Sequence, residues 1–293
     1  MSLLVETLIG VEGGAPCLDA HEMAVVAQLR SRFEAEVADS AADPAFFGDL
    51  ALARVLRAHG NDLEQSSRWF SKFLSEWKAL RCDERCGRIR RAANAHMVEA
   101  ELWQLDILPS WDTAKHFLPQ TFSGERLTPQ GDVLCYIPLV DWDISGVRAA
   151  WETQELLEFF ADATILRSVQ LDALSHATRR MVQVHVIVDV ENANLGRMLS
   201  DNKDVLAEYS RTQENLAIEV TASICFLNVG WWAKLLWAAF SGFAPEQLHA
   251  KCSLLAGGPT DDLLSLVGES QLMTLMGTRC KQSSASGSQA CTC

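Results

Sequence analysis

Between Ile224 and Phe243 the chain passes from a short apolar run, Ile224-Cys225-Phe226-Leu227, through Asn228-Val229-Gly230 into Trp231 and Trp232. It continues with Leu235, Leu236, Trp237, Phe240 and Phe243, and Lys234 is the only charge beyond Gly230. The pattern predicts a buried strand, a break at Gly230 and a strongly apolar helix over 231–243. So much aromatic surface on one short helix has two uses. It packs as core, or it covers something apolar and touches a membrane. The stretch falls short of the roughly 18 apolar residues of a spanning helix, so it can lie in an interface but not cross a bilayer.

The rest of the chain must supply whatever that helix covers, and the full 293 residues, 48% hydrophobic, have material for a large core. Its 25 Lys and Arg against 38 Asp and Glu give a formal charge of -13. That balance excludes broad electrostatic capture of nucleic acid or anionic membrane, which is driven by Lys and Arg. Arg85, Arg88, Arg90 and Arg91 form the densest basic run and are expected on a solvated helix face. Met1 to Gly14 carries Glu6 and Glu12 and no basic flank, so it is not expected to act as a secretory signal. Of the nine cysteines, Cys135, Cys225 and Cys252 sit in strand-like runs as small core residues. Cys82 and Cys86 have no second pair at zinc-like distance, and no metal site is expected. Reduced cysteines fit a cytosolic protein best.

Periodicity predicts one helix over 19–37 within a leader ending at 42, then helices over 46–57, 62–80 and 85–105. Asp62 is suited to cap the third of these. The second half predicts a strand over 133–137, a long helix over 149–181, a β-branched strand over 182–190 and a helix over 203–215. Strands over 223–227 and 252–256 follow, on either side of the 231–243 helix. Strands separated by helices imply crossovers and a mainly parallel sheet. The expected fold class is α/β, an N-terminal helical region followed by a parallel sheet flanked by helices. Lys281 to Cys293 is Ser- and Gly-rich and is expected to be disordered.

Three stretches in this order resemble the CRAL-TRIO lipid-binding family. Leu52-Ala53-Arg54-Val55-Leu56-Arg57-Ala58 with Asp62-Leu63 is similar to its helical lead-in, Val184 to Val190 to its central strand, and Ile224 to Asn228 to the strand before its lid helix. The resemblance covers about 43–277. It implies a leader over 1–42, a helical region over 43–125, a lipid-binding α/β domain over 126–279 and a tail over 280–293. The chain also departs from the family pattern. Ala217-Ile218 stands where Tyr-Pro is usual, Gly230 replaces the Pro after the Asn, His59 and Gly60 replace basic residues, and Leu248 replaces a Thr.

The resemblance implies an apolar cavity closed by a lid helix, with a phospholipid or phosphoinositide as ligand, no cofactor and no covalent chemistry. Trp231, Trp232, Leu235, Leu236, Trp237, Phe240 and Phe243 would form the lid and touch the membrane. Ile187, Phe226 and Asn228 would line the cavity wall. Glu219 and Lys251 align with headgroup residues of phosphoinositide-binding members; the bland alternative is a surface ion pair of little energetic weight. The implied location is cytoplasmic with transient membrane contact. A non-transferring scaffold of the same family is one alternative. The other is an aspartyl-nucleophile phosphatase, suggested by Leu139-Val140-Asp141-Trp142-Asp143 and by Leu254 to Asp262; there Asp141 and Asp143 also read as loop and N-cap residues.

Overall fold

The computed structural model describes residues 18–39, 43–96, 107–118, 121–122, 128–194, 203–217, 219–230, 237–238, 241 and 249–285. The chain forms two compact units, each discontinuous in sequence. A helical unit takes 1–112, 148–183 and 204–220, and a sheet unit takes 113–147, 184–203 and 221–293. The linear boundary expected at 125/126 is thus crossed, because residues 148–183 and 204–220 pack with the N-terminal helices.

In the helical unit α1 (Ala20–Arg32) is closed by a capping box between Asp19 and Glu22, and α2 (Glu34–Asp39) follows after a break at Phe33. The single helix expected over 46–57 is two, α3 (Pro44–Phe47) and α4 (Asp49–Ala58). The break falls at Gly48, where a Cβ would stand 2.5 Å from the Pro44 carbonyl oxygen. Asp62 caps α5 (Leu63–Ala79), accepting from the amides of Glu64 and Gln65 at 2.9 Å each. Its Phe70, Phe73 and Trp77, spaced three and four apart, are buried against Phe46 and Phe47, with the Phe46–Trp77 ring centroids 4.6 Å apart. Next come α6 (Cys82–His96) and, spanning the join to the sheet unit, α7 (Trp111–Phe117). The helix expected over 149–181 is α8 (Ile144–Ala150) and α9 (Thr153–Thr178). They part because Glu152 and Glu155 form a reciprocal cap that starts a new helix. Arg179, left-handed at φ 53°, ends α9, and α10 (Lys203–Leu216) completes the unit.

The arginine run is a solvated face only in part, since Arg88 and Arg91 are exposed while Arg85 and Arg90 are half-buried. Arg85 donates to Asp162 at 2.9 Å and pairs with Glu158 at 3.0 Å; Arg88 reaches Asp162 at 2.7 Å, and Arg90 reaches Asp43 at 2.6 Å. Only Arg91 of the four remains exposed without such a carboxylate among the ion pairs of the described residues. The cause is α9, whose face toward α6 carries Glu158 and Asp162. Carboxylates held at a half-buried seam draw in the opposite charge. Burial, with smaller contributions from the nearby acids Asp83, Asp162 and Glu76, pushes the Cys82 thiol up to about 12, so it behaves as an inert small residue.

The sheet unit holds five strands in the order β1 (Thr121–Phe122), β2 (Val133–Pro138), β3 (Val184–Asp189), β4 (Thr221–Leu227) and β5 (Cys252–Leu254). β1 runs antiparallel to β2, and the other pairings are parallel. Two helices follow that periodicity had not marked, α11 (Asp261–Val267) and α12 (Glu269–Ala285). The signal was present: Thr260 is an N-cap accepting from the Leu263 amide at 3.4 Å, and Leu263, Val267, Leu272 and Leu275 keep helical spacing. α12 runs to Ala285, so residues 281–285 of the expected disordered tail are helical. Lys, Gln and Ala extend a helix readily once tertiary packing has fixed its first turns.

Candidate functional site

Strand alternation gives the sheet two faces of unlike character. On one, Leu134, Tyr136, Ile187, Cys225 and Leu227 are packed dry against Leu263, Val267, Leu272 and Leu275 of α11 and α12. On the other, Leu139, Val188, Val190, Phe226 and Val229 form a second apolar cluster. Around them Ile137, Val186, Ile224, Cys252 and Leu254 are only half-buried.

The register arranges this second face in rows. Cys135, Val186, Ile224 and Cys252 lie side by side across four strands, and Ile137, Val188, Phe226 and Leu254 form the next row. Four strands about 4.8 Å apart make a floor about 14 Å wide, measured across the strands. No charged side chain belongs to either row. Burial pushes the Cys252 thiol up to about 11, so it contributes apolar surface rather than a nucleophile.

His185 and Asp189 lie on the dry face, in step with Ile187, and are satisfied there. His185 shares Nδ1 with the Ser223 hydroxyl at 2.8 Å, and its Nε2 stands 3.6 Å from Asp132. Asp189 accepts from the Tyr136 hydroxyl at 2.7 Å, from the Asn228 amide at 2.9 Å and from the Glu191 backbone at 3.0 Å. A buried carboxyl group with three donors has its hydrogen bonding satisfied without a ligand.

The expected site residues separate. Phe226 lies in the half-open face. Ile187 points to the opposite face, because it is the register partner of Cys225 rather than of Phe226. Asn228 ends β4 in a left-handed conformation, φ 59°, with its side chain on Asp189. Lys251 donates to the Thr221 carbonyl at 2.8 Å in the sheet unit. Glu219 belongs to the helical unit, where its carbonyl accepts from Arg54 at 3.2 Å and Gln183 at 3.0 Å. Trp237 is half-buried with its ring 5.5 Å from that of His249, edge to face. Trp231, Trp232, Leu235, Leu236, Phe240 and Phe243 lie outside the described residues.

Other candidate sites give way to local structure. Asp143 accepts from the Gly146 amide at 2.8 Å as an N-cap, and Asp141 sits in a one-turn 3-10 helix over Leu139–Asp141. Among the described residues no group of His, Cys, Asp and Glu could hold a metal ion. A cavity of about 30 Å³ in the helical unit, lined by Phe46, Arg54, Trp69, Phe70, Phe73 and Ser168, has room for about two waters and not for a lipid. Among the described residues no helix is long and apolar enough to cross a membrane.

A mainly parallel sheet flanked by helices, dry on one face and apolar but half-open on the other, has the build of a carrier for hydrophobic molecules. The family described as CRAL/TRIO domain matches residues 121–277, more than half of the chain, and the chain belongs to this family. Its members are in general lipid-binding and lipid-transfer proteins rather than enzymes. The crystal structure of Sfh5 is similar over 81% of each chain, with 13% identity and a TM-score of 0.49. No curated protein sequence matches the chain.

Proposed function

We propose that this protein carries a phospholipid, with its acyl chains laid on the half-open face of the sheet, and transfers or presents it between membranes. The carrying observation is the contrast between the two faces. Ile137, Val186, Ile224 and Leu254 stay half-buried beside the buried Cys135, Val188 and Phe226, while Leu134, Tyr136, Ile187, Cys225 and Leu227 of the opposite face are all buried. Each methylene withdrawn from water onto such a floor contributes about 0.8 kcal/mol, which is what a lipid leaving a bilayer must recover. Trp231, Trp232, Leu235, Leu236, Trp237, Phe240 and Phe243 are proposed to cover the ligand and to touch the membrane, since indole favours the water–lipid boundary. Lys251 and Glu219 are proposed to meet the headgroup. An ammonium offers three donors, so its bond to the Thr221 carbonyl is compatible with a phosphodiester.

Native mass spectrometry of the purified protein, with lipid extraction, tests this reading. A bound phospholipid in the wild type and its loss in Ile224→Asp are expected, because a carboxylate in the middle of the floor cannot be desolvated by acyl chains. A ligand-free mass that persists after incubation with mixed phospholipid vesicles overturns it.

A further inference from the structure

The carboxyl edge of the half-open face is closed by a row that breaks the rule of alternation. Along β4, Ile224 and Phe226 face the floor, and Cys225 and Leu227 the dry side. Continued alternation would turn Asn228 to the floor and Val229 away from it. The structure does the reverse. Asn228 adopts φ 59°, its amide donates to Asp189 on the dry side, and Val229 joins the floor cluster with no exposed surface. Beside it Val190 and Leu139 are 5% and 8% exposed, so the last row is buried throughout, while each of the two rows before it mixes buried residues (Cys135, Val188, Phe226) with half-buried ones (Ile137, Val186, Ile224, Cys252, Leu254).

The inversion is held from two sides. Asn228 and Val229 donate their backbone amides to the carbonyls of Gly257 at 2.8 Å and Leu255 at 2.9 Å. Asp189, 2% exposed, is fixed by Tyr136 and by the Glu191 amide. A left-handed backbone costs a non-glycine residue energy, least for Asn. The charge-assisted bond to Asp189 offsets that cost.

On this basis, and resting on the lipid-carrier reading, we propose that Val229 is the end wall of the ligand floor and selects the length of the acyl chain. Asp189 acts through Asn228 as the residue that positions it. A wall of this kind excludes a chain that overruns the floor and leaves a shorter one with unburied methylenes, so occupancy peaks at one length.

The test loads wild type, Val229→Ala, Val229→Phe and Asn228→Gly from vesicles containing phosphatidylcholines of graded chain length and reads bound species by mass spectrometry. Circular dichroism confirms the fold of each. Val229→Ala removes two methyl groups and is expected to favour chains about two carbons longer by about fifteenfold, at about fourfold per methylene. Val229→Phe is expected to shift selection to shorter chains. Asn228→Gly tolerates positive φ but lacks the amide, so a broadened length profile is expected with Val229 itself unchanged. Wild type that binds lipid, with both Val229 variants keeping its profile, overturns the end wall and leaves the carrier reading intact. An unaltered profile in Asn228→Gly overturns the positioning role alone. Wild type that takes up none of the phosphatidylcholines overturns both readings.

Discussion

Asp43 is the residue whose loss the helical unit should feel most. Its carboxylate accepts from Arg90 Nε at 2.6 Å, from the Cys86 thiol at 3.0 Å and from the Ala45 amide at 3.0 Å, where it caps α3. Its side chain is 11% exposed and that of Arg90 26%. Asp43→Ala therefore does two things. It strands a largely buried guanidinium, for which about 3 kcal/mol is the low end of the usual cost, and it removes a helix cap worth about 1 kcal/mol. The expected loss is about 4 kcal/mol. Asp43→Asn keeps an acceptor for the Ala45 amide and should lose about 2–3 kcal/mol, mostly the charge. Urea unfolding followed by tryptophan emission reads both, since Trp77 is buried in this unit. The pH dependence adds an independent check. Burial pushes the Asp43 carboxyl up, but the hydrogen bonds and charge of Arg90 outweigh it, so the net position is below the ordinary 3.8. A carboxyl depressed in the folded state contributes its stability in full above 3.8 and loses it as pH falls through the folded value. The advantage of wild type over Asp43→Asn should therefore shrink only below that range. An Asp43→Ala variant within about 1 kcal/mol of wild type would refute the reasoning, because it would mean Arg90 is solvated after all.

Three further outcomes follow from the geometry. Gly146→Ala would place a Cβ 2.7 Å from the Phe117 ring and 2.3 Å from the Asp143 carboxylate, so it should destabilise by about 1–3 kcal/mol in the same unfolding assay. Replacing Trp232 and Trp237 with Asp should abolish vesicle co-sedimentation while the circular dichroism spectrum is kept; unchanged lipid transfer would contradict their proposed membrane role. Lys251→Ala should lower phosphatidylinositol binding at least threefold more than phosphatidylcholine binding, and equal losses would reduce Lys251 to a tie between β5 and β4.

The helices and strands that carry the fold were legible because their burial follows simple periods. Phe70, Phe73 and Trp77 announce α5, and Val184 to Asp189 announces a parallel strand. What periodicity could not show was partnership. The arginines at 85, 88 and 90 look like a charged surface until the acids at 43, 158 and 162 are brought to them from distant sequence. Parity of the strands was readable in principle, yet the register between β3 and β4 had to be known before Ile187 and Phe226 could be assigned to different faces. α11 and α12 hid behind Gly257-Gly258-Pro259, a breaker cluster that draws the eye to a loop rather than to the capped helix beyond it.

The departures from the family pattern also gain physical content from the exit of β4. Gly230 stands where a Pro is usual, and it is exposed with φ 49°; among the described residues, its chain neighbours aside, no atom lies within 4 Å of where a Cβ would be. Proline is locked near φ -65°, so a Pro-bearing chain could not leave the sheet along this path. Here two positive-φ residues, Asn228 and Gly230, flank a valine that has been turned into the floor. The glycine is thus not a neutral loss of the proline but part of a different backbone route, one that the Asp189–Asn228 bond makes affordable. On the proposed reading this route forms the closed edge of the floor, so the chain-length profile is expected to follow Val229 and Asn228 rather than the pattern of relatives that keep the proline.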